Sequence, residues 1–140
     1  MADDLLLDVR NLRTHFFIKN DVVKAVNGVN FAIRPGETVG LVGESGCGKT
    51  VTALSIMRLV PPPGRVVQGK ITYDGLDLTR MGKRKLRDIR GNEIAMIFQN
   101  LMTSLNPVFS VGKQIIETIS AHRSNGKKDA LDRAREMFEL

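Results

Sequence analysis

The chain has one cysteine, few aromatic residues and no long apolar run, and these shortages narrow the class of protein to which it can belong. One cysteine in 140 residues cannot form an internal disulfide, which fits a reducing cytosol. No apolar run approaches the roughly 18 residues that cross a bilayer. The first ten residues carry acids before their leucines, whereas a secretory signal begins with basic residues. The composition therefore predicts one folded, soluble domain.

The net charge of +6 is concentrated in one short stretch, residues 80–90. This stretch contains one acid, Asp88, and six basic residues: Arg80, Lys83, Arg84, Lys85, Arg87 and Arg90. No aromatic residue is interleaved with them for base stacking, and no nucleic-acid-binding motif occurs elsewhere. The stretch is interpreted as the solvated face of a short helix, and no nucleic acid is expected among the partners.

Hydrophobic periodicity predicts an α/β fold. Two strand patterns, at 5–18 and at 22–33 with an interruption between 26 and 29, are expected to pair antiparallel across a polar turn. Residues 38–42 form a continuously apolar run of the kind that is buried on both faces in a parallel sheet. A helix is expected to begin at Lys49 and to end before three prolines at 61–63.

The rest of the chain adds two strands and three helices to this prediction. The strands are expected at 66–73, followed by an Asp-Gly turn, and at 93–98, and the helices near 83–90, 111–122 and 127–140. Strand, glycine loop, helix and later buried strand indicate a parallel α/β core. The antiparallel pieces indicate a second sheet beside it.

One motif predicts chemistry directly. The run GESGCGKT at residues 43–50 fits G-x-x-x-x-G-K-[ST], the phosphate-binding P-loop. Glycines let backbone amides converge on phosphate oxygens, and the helix that follows directs its unsatisfied N–H groups at the same anion. Lys49 is expected to neutralise the β- and γ-phosphates, and the Thr50 hydroxyl to bind Mg²⁺. The expected nucleotide contacts are Gly43, Glu44, Ser45, Gly46, Cys47, Gly48, Lys49, Thr50 and Val51.

Cys47 lies inside this loop and admits two interpretations. A helix N-terminus favours the thiolate, so the side chain is a candidate redox-sensitive thiol. The plainer interpretation, which we prefer, is that this loop position tolerates any side chain of modest size.

The position of the loop points away from small GTPases and nucleotide kinases, which place it after the first strand. Over its whole length the chain resembles the ATP-binding subunits of ABC transporters. The stretches that carry the resemblance are AVNGVNFAIRPGETVGLVGESGCGKT at 25–50, GKITYDGLDL at 69–78 and IAMIFQNLMTSLNPV at 94–108. The last of these resembles oligopeptide, dipeptide and nickel importers. The family usually carries an acid and a proline where this chain has Asn100 and Leu101, which leaves the details of this loop and its permease contact open.

The resemblance implies roles for two further residues. Phe16, or alternatively Phe17, matches the aromatic residue that stacks on adenine, and an aromatic face is suited to holding a purine. Gln99 matches the Q-loop glutamine, which reaches Mg²⁺ or the attacking water. Lys49 and Gln99 are thus the expected catalytic residues, and Thr50 and Gln99 the expected metal ligands.

The resemblance also implies an incomplete P-loop NTPase core, with an antiparallel β subdomain and the start of a helical subdomain. We expect 1–110 to form the first two and 111–140 the third, all within one ATP-binding domain. No Walker B aspartate, catalytic glutamate, signature or switch histidine is recognisable. The chain is therefore expected to be the N-terminal fragment of an ATPase, to expose core surface and to hydrolyse no ATP alone.

The predicted function is to energise import of peptides or nickel by binding and hydrolysing ATP with Mg²⁺. The expected partners are a second ATPase subunit, integral membrane permease subunits and, indirectly, an extracytoplasmic substrate-binding protein. The expected location is the cytoplasmic face of the plasma membrane. Two alternatives remain: a nucleotide-binding regulatory module without membrane partners, and a P-loop kinase, for which the sequence offers neither an acceptor site nor a lid.

Overall fold

The structure is a computed structural model that describes residues 4–99, 104–122 and 127–139. These residues group into two compact units, divided between Leu86 and Arg87. No helix within the described ranges is both long and apolar enough to cross a membrane.

The first unit is built on a four-stranded antiparallel sheet. Its strands are β1 (Leu7–Ile18), β2 (Asp21–Ile33), β3 (Gly64–Tyr73) and β4 (Leu76–Asp77), in the spatial order β2-β1-β3-β4. The predicted antiparallel pair and the later hairpin are both confirmed. Val9, Leu12 and Ile71, on the two central strands, are buried at the core of this unit.

The interruption predicted near residue 28 is a bulge within one continuous strand. Leu12 pairs with Val29 and Arg13 pairs with Asn27, so Gly28 is left out of the ladder. Gly28 has φ +83°, which glycine adopts without a steric penalty.

Helix α1 (Lys49–Ile56) is joined to the sheet by a buried polar contact. The Ser55 and Thr14 hydroxyl oxygens lie 2.7 Å apart, and both side chains are buried. The helix ends ahead of Pro61, as predicted from the proline run. This contact fixes α1 on β1, and it therefore sets the direction in which the N-terminus of the helix points.

The strand predicted at 38–42 is a correction, because the segment is neither a strand nor buried. No residue of the segment takes part in strand pairing, and the Val42 side chain is 93% exposed. A buried parallel strand needs a neighbouring strand to pair with and covering layers on both faces. Among the described residues no strand pairs with this segment, so its apolar sequence does not produce burial.

The strand predicted at 93–98 is a second correction of the same kind. Only Ile94 forms a bridge, a single parallel one to Arg90, and Ile97 is 85% exposed. The predicted short basic helix just before it is confirmed as α2 (Lys83–Ile89).

The remaining elements of the second unit are α3 (Val111–His122) and α4 (Lys127–Glu139), which contact each other. Ala130 and Ala134, one turn apart on α4, are buried. Both predicted helices are confirmed. The turn predicted at 124–126 and the end of the second helix at Leu140 lie outside the described residues, as do Asn100 and Leu101.

Candidate nucleotide site

The glycine loop leads from the exposed 38–42 segment into α1 and lies against β2. Gly48, the N-cap of α1, has φ +94°, and a Cβ there would lie 2.3 Å from the backbone oxygen of Ala25. Such a separation is impossible without moving backbone. Only glycine therefore lets the loop approach β2 this closely.

Two other glycines define the shape of the loop. A Cβ on Gly43 would lie 2.6 Å from the Cys47 sulfur, so the loop folds back on itself there. Gly46 also has positive φ, +82°, but a Cβ on it would meet nothing within 4 Å. The loop is consequently tight on its protein side and open at Gly46.

The start of α1 is free of side-chain capping within the described part of the chain. The first intrahelical bond runs from the Thr52 amide to the Gly48 carbonyl at 2.8 Å. The amides before Thr52 thus belong to the group that a helix leaves unsatisfied, at the positive end of its dipole. This geometry suits an anion.

Lys49 directs its ammonium group into the loop. The nitrogen donates to the Gly43 carbonyl at 2.6 Å and to the Glu44 carbonyl at 2.7 Å, and it lies 3.5 Å from the Cys47 sulfur. The one positive charge of the motif is therefore held within the loop itself. The thiol of Cys47 is exposed beside it.

The remaining motif residues lie on the first turn of α1. Thr50 is exposed, while Val51 is half-buried and its carbonyl accepts a hydrogen bond from the Ser55 hydroxyl at 2.6 Å. The Thr50 hydroxyl is free to face a ligand, and Val51 belongs to the contact that holds the helix. The nine expected contact residues, 43–51, are thus contiguous in space.

The two candidate adenine-stacking residues have different surroundings. Phe16 packs on Gly64, where a Cβ would lie 2.5 Å from the phenylalanine ring. Phe17 is 37% exposed, and the Arg65 guanidinium lies 4.3 Å above the centre of its ring. The Phe16 ring is therefore in contact with the backbone at Gly64, and one face of the Phe17 ring is covered by Arg65.

Gln99 belongs to the second unit, at the end of the 93–98 segment. Its side chain is exposed and makes no hydrogen bond within the described residues. Within those residues no cluster of three or more His, Cys, Asp or Glu side chains is arranged to hold a metal ion.

A residue that the sequence did not point to organises the loop before α3. The Gln114 side-chain oxygen accepts from the Asn106 amide, and its nitrogen donates to the carbonyls of Asn106 and Phe109, all at 2.9 Å. Asn106 in turn accepts from the Val108 amide at 3.0 Å. One side chain thus fixes the path of residues 106–109.

This clamped loop presents apolar side chains to solvent. Leu105, Val108, Phe109 and Val111 are all exposed, Val108 at 81%. Ser110 caps α3 by accepting from the Lys113 amide at 3.3 Å. A serine before an amphipathic helix could have identified that cap. No sequence pattern separates Gln114 from an ordinary helix-face glutamine.

Comparison with known proteins places this geometry in a family. Residues 26–140 match the family model described as ABC transporter. A Sinorhizobium fredii protein named "Probable peptide ABC transporter ATP-binding protein" is 51% identical over 98% of this chain and 41% of its own length. The oligopeptide transport ATP-binding protein AppD of Bacillus subtilis is 49% identical over 96% of this chain and 42% of its own length. The chain thus spans about two fifths of the length of these relatives.

Solved structures agree on the fold. A bacterial ABC transporter cassette solved as a dimer superposes with a TM-score of 0.78 at 21% identity, over 93% of this chain and 54% of that one. A dimeric post-hydrolysis state of an ATP-binding cassette, bound to ADP and phosphate, gives a TM-score of 0.75 at 20% identity. The predicted P-loop NTPase fold of the ABC type is confirmed.

Proposed function

The chain belongs to the ABC transporter family, and on that basis we propose that loop 43–51 holds the phosphates of ATP together with Mg²⁺. The observation that carries this proposal is the shape of the loop. It closes tightly against β2 at Gly48, is open at Gly46, and leads into a helix start without a side-chain cap. Concave backbone of this kind binds phosphate oxygens through its amides.

Lys49 is the residue proposed to balance the phosphate charge. Its ammonium group now hydrogen-bonds two neutral carbonyls of the loop. A hydrogen bond from an ammonium group to a phosphate oxygen joins opposite charges, whereas its bonds to the loop carbonyls join a charge to a neutral acceptor. A bound phosphate therefore competes favourably with the carbonyls for the same donor.

Thr50 is proposed as the Mg²⁺ ligand of the loop, because its hydroxyl is exposed on the first turn of α1. Bound Mg²⁺ would neutralise charge that develops on the β- and γ-phosphates. We propose Gln99 as a second ligand, or as the group that orients water. Phe16 is proposed to lie against the adenine, with Phe17 as the alternative.

For the whole protein we propose ATP-driven import of peptides. The relatives named above are peptide and oligopeptide transport ATP-binding proteins. A dipeptide transport ATP-binding protein of Escherichia coli, DppD, is 43% identical over 95% of this chain. ATP hydrolysis requires, besides a phosphate cradle, groups that orient water, and we propose that this chain alone binds nucleotide without turning it over.

The proposed partners are a second ATPase subunit and membrane permease subunits, which would hold the protein at the cytoplasmic face of the membrane. The apolar loop at 105–111 supports the permease contact. Its side chains are exposed while its backbone is held by Gln114. Exposed apolar side chains on a fixed backbone are suited to binding another protein.

The phosphate proposal is tested by thermal unfolding with matched ligands. A ligand that binds only the folded state raises the unfolding midpoint, and the rise grows with the ratio of ligand concentration to Kd. Mg·ATP and Mg·ADP are expected to raise the midpoint, while adenosine at the same concentration is expected to leave it unchanged. An equal shift with adenosine would instead place the binding energy on the base and refute a phosphate cradle.

The permease proposal is tested by co-purification of the whole protein with integral membrane permease subunits of a peptide importer. Retention in the detergent-solubilised complex is expected for the wild type and reduced retention for Val108→Asp. A whole protein that binds nucleotide but retains no membrane subunit would be a stand-alone module.

A further inference from the structure

Four basic side chains surround an open depression in the first unit, and we call them the basic cluster: Arg80, Lys83, Arg84 and Lys85. All four are exposed. The depression has a volume of about 650 Å³ and is also lined by Asp77, Met81 and Gly82. Four cations within six residues thus face the same volume of solvent.

The charges of this cluster are not compensated within the described residues, where none of the four side chains forms an ion pair. Asp77 is the one acid that lines the depression, and its carboxylate accepts hydrogen bonds from the amide and the hydroxyl of Thr79. Four cations and one carboxylate still leave an excess of positive charge around the depression. Like charges held close together repel one another, so an external anion would relieve the repulsion.

The backbone beneath the cluster is anchored. Leu78 and Leu86 are buried on either side of it, and Arg58 donates to the carbonyls of Leu78 and Met81 at 3.0 and 2.6 Å. The cluster is therefore presented outward from a supported segment, with its cationic side chains pointing away from the core.

We propose that the basic cluster binds the anionic headgroups of a membrane surface. Clusters of four to eight Lys and Arg are typical of segments that bind anionic lipid surfaces, because each cation near the surface is attracted by the negative surface potential. The anchors of protein interfaces are Trp, Tyr and Arg side chains in well-packed, desolvated pockets, and single-stranded nucleic acid needs aromatic rings for stacking. The depression is lined by no aromatic residue, and its two arginines are exposed.

The test measures sedimentation of the full chain with lipid vesicles. Phosphatidylserine-containing vesicles are expected to bind it, and pure phosphatidylcholine vesicles are not. Each cation near an anionic surface strengthens binding about fivefold. The triple variant Lys83→Gln, Arg84→Gln, Lys85→Gln is therefore expected to bind about a hundredfold more weakly, and wild-type binding is expected to weaken with salt.

A matched variant separates the cluster from net charge. Lys19→Gln, Lys24→Gln, Arg34→Gln removes three exposed cations from the first unit outside the cluster and is expected to keep most of the binding. All substituted side chains are exposed, and circular dichroism checks that both variants fold. Equal losses in the two triple variants, unchanged binding in the cluster variant, or binding to a DNA duplex but not to anionic vesicles would each overturn the proposal.

Discussion

Gly48 and Gly36 both have positive φ, but only at Gly48 would an added Cβ clash with another atom. A Cβ on Gly48 would lie 2.3 Å from the Ala25 oxygen, whereas one on Gly36 would meet nothing within 4 Å. Gly36→Ala is expected to cost about 1 kcal/mol, the cost of a left-handed alanine. Gly48→Ala is expected to cost at least about 2 kcal/mol, because backbone must also move.

Urea unfolding of the two glycine variants measures the difference. Equal destabilisation would mean that the loop does not pack on β2 as described. The paired design matters because the left-handed penalty is common to both variants and cancels in the comparison.

Asp77 provides a pH-dependent test at the same scale. Hydrogen bonds from the Thr79 hydroxyl, and then from the Thr79 and Arg80 amides, hold the pKa of Asp77 below its ordinary value against an opposing desolvation. A depressed pKa in the folded state contributes stability above the unfolded-state pKa. That contribution is lost as the pH falls through the folded-state pKa.

Thr79→Val, which removes the hydroxyl but keeps the side-chain shape, is therefore expected to raise the pKa of Asp77. Titration of the Asp77 carboxyl carbon by NMR measures this shift. Asp77→Asn is expected to remove the corresponding part of the acid sensitivity of stability. A titration curve for Asp77 that is identical in Thr79→Val and wild type would contradict the described contact.

At the scale of elements, α1 depends on the buried hydroxyl pair that joins it to β1. Ser55→Ala leaves the Thr14 hydroxyl buried without its partner, and we expect a cost of about 1–3 kcal/mol. Adding Thr14→Val removes the stranded group, so the double variant is expected to lose less than the sum of the single losses. Denaturant unfolding of all four proteins closes the cycle. Strict additivity would show that the two hydroxyls do not interact.

Gln114 sets the shape of the loop before α3. Gln114→Ala is expected to speed hydrogen exchange at the amides of Asn106 and Val108, because the bonds that fix residues 106–109 are lost. Gln114→Glu keeps the acceptor for the Asn106 amide but loses both donors to carbonyls. We expect intermediate protection for this variant.

The matched control for Gln114 is Glu117→Ala, which replaces an exposed side chain on the same helix. It is expected to leave exchange in the loop unchanged. Equal protection in wild type and Gln114→Ala would show that the clamp does not hold the loop.

How much of each element could be predicted depended on whether its determinants are local. The antiparallel strands and the proline stop after α1 are encoded by periodicity and short motifs, and they were predicted correctly. The Gln114 clamp depends on a side chain reaching back eight residues to Asn106, and no pattern marks it. The bulge at Gly28 is an intermediate case. The sequence shows the interruption of the strand pattern, but it does not show the strand pairing that makes the interruption a bulge.

At the scale of the whole molecule, the two apolar segments at 38–42 and 93–98 show that the sequence of a segment alone does not determine whether it forms a buried strand. Val42 and Ile97 are as apolar as any core residue, yet they are almost fully exposed. A buried parallel strand is a property of its neighbours as much as of its own residues. The described residues provide no strand that pairs with either segment.

The family assignment nevertheless rests on most of the chain, because residues 26–140 match the ABC transporter model and the fold superposes on ABC cassettes. The site residues are less evenly supported. The phosphate proposal for loop 43–51 rests on its glycine geometry and on a helix start without a side-chain cap, whereas the proposals for Phe16 and Gln99 rest on motif resemblance.

The most direct test of nucleotide binding by this loop is calorimetric titration of Mg·ATP into wild type, Lys49→Ala and Lys70→Ala. Lys70 is an exposed lysine on β3 and matches the charge change. We expect binding to wild type and Lys70→Ala with equal affinity. Lys49→Ala is expected to bind at least about tenfold more weakly, the value of a lost hydrogen bond to a charged group. Undiminished binding to Lys49→Ala would contradict a phosphate cradle at 43–51.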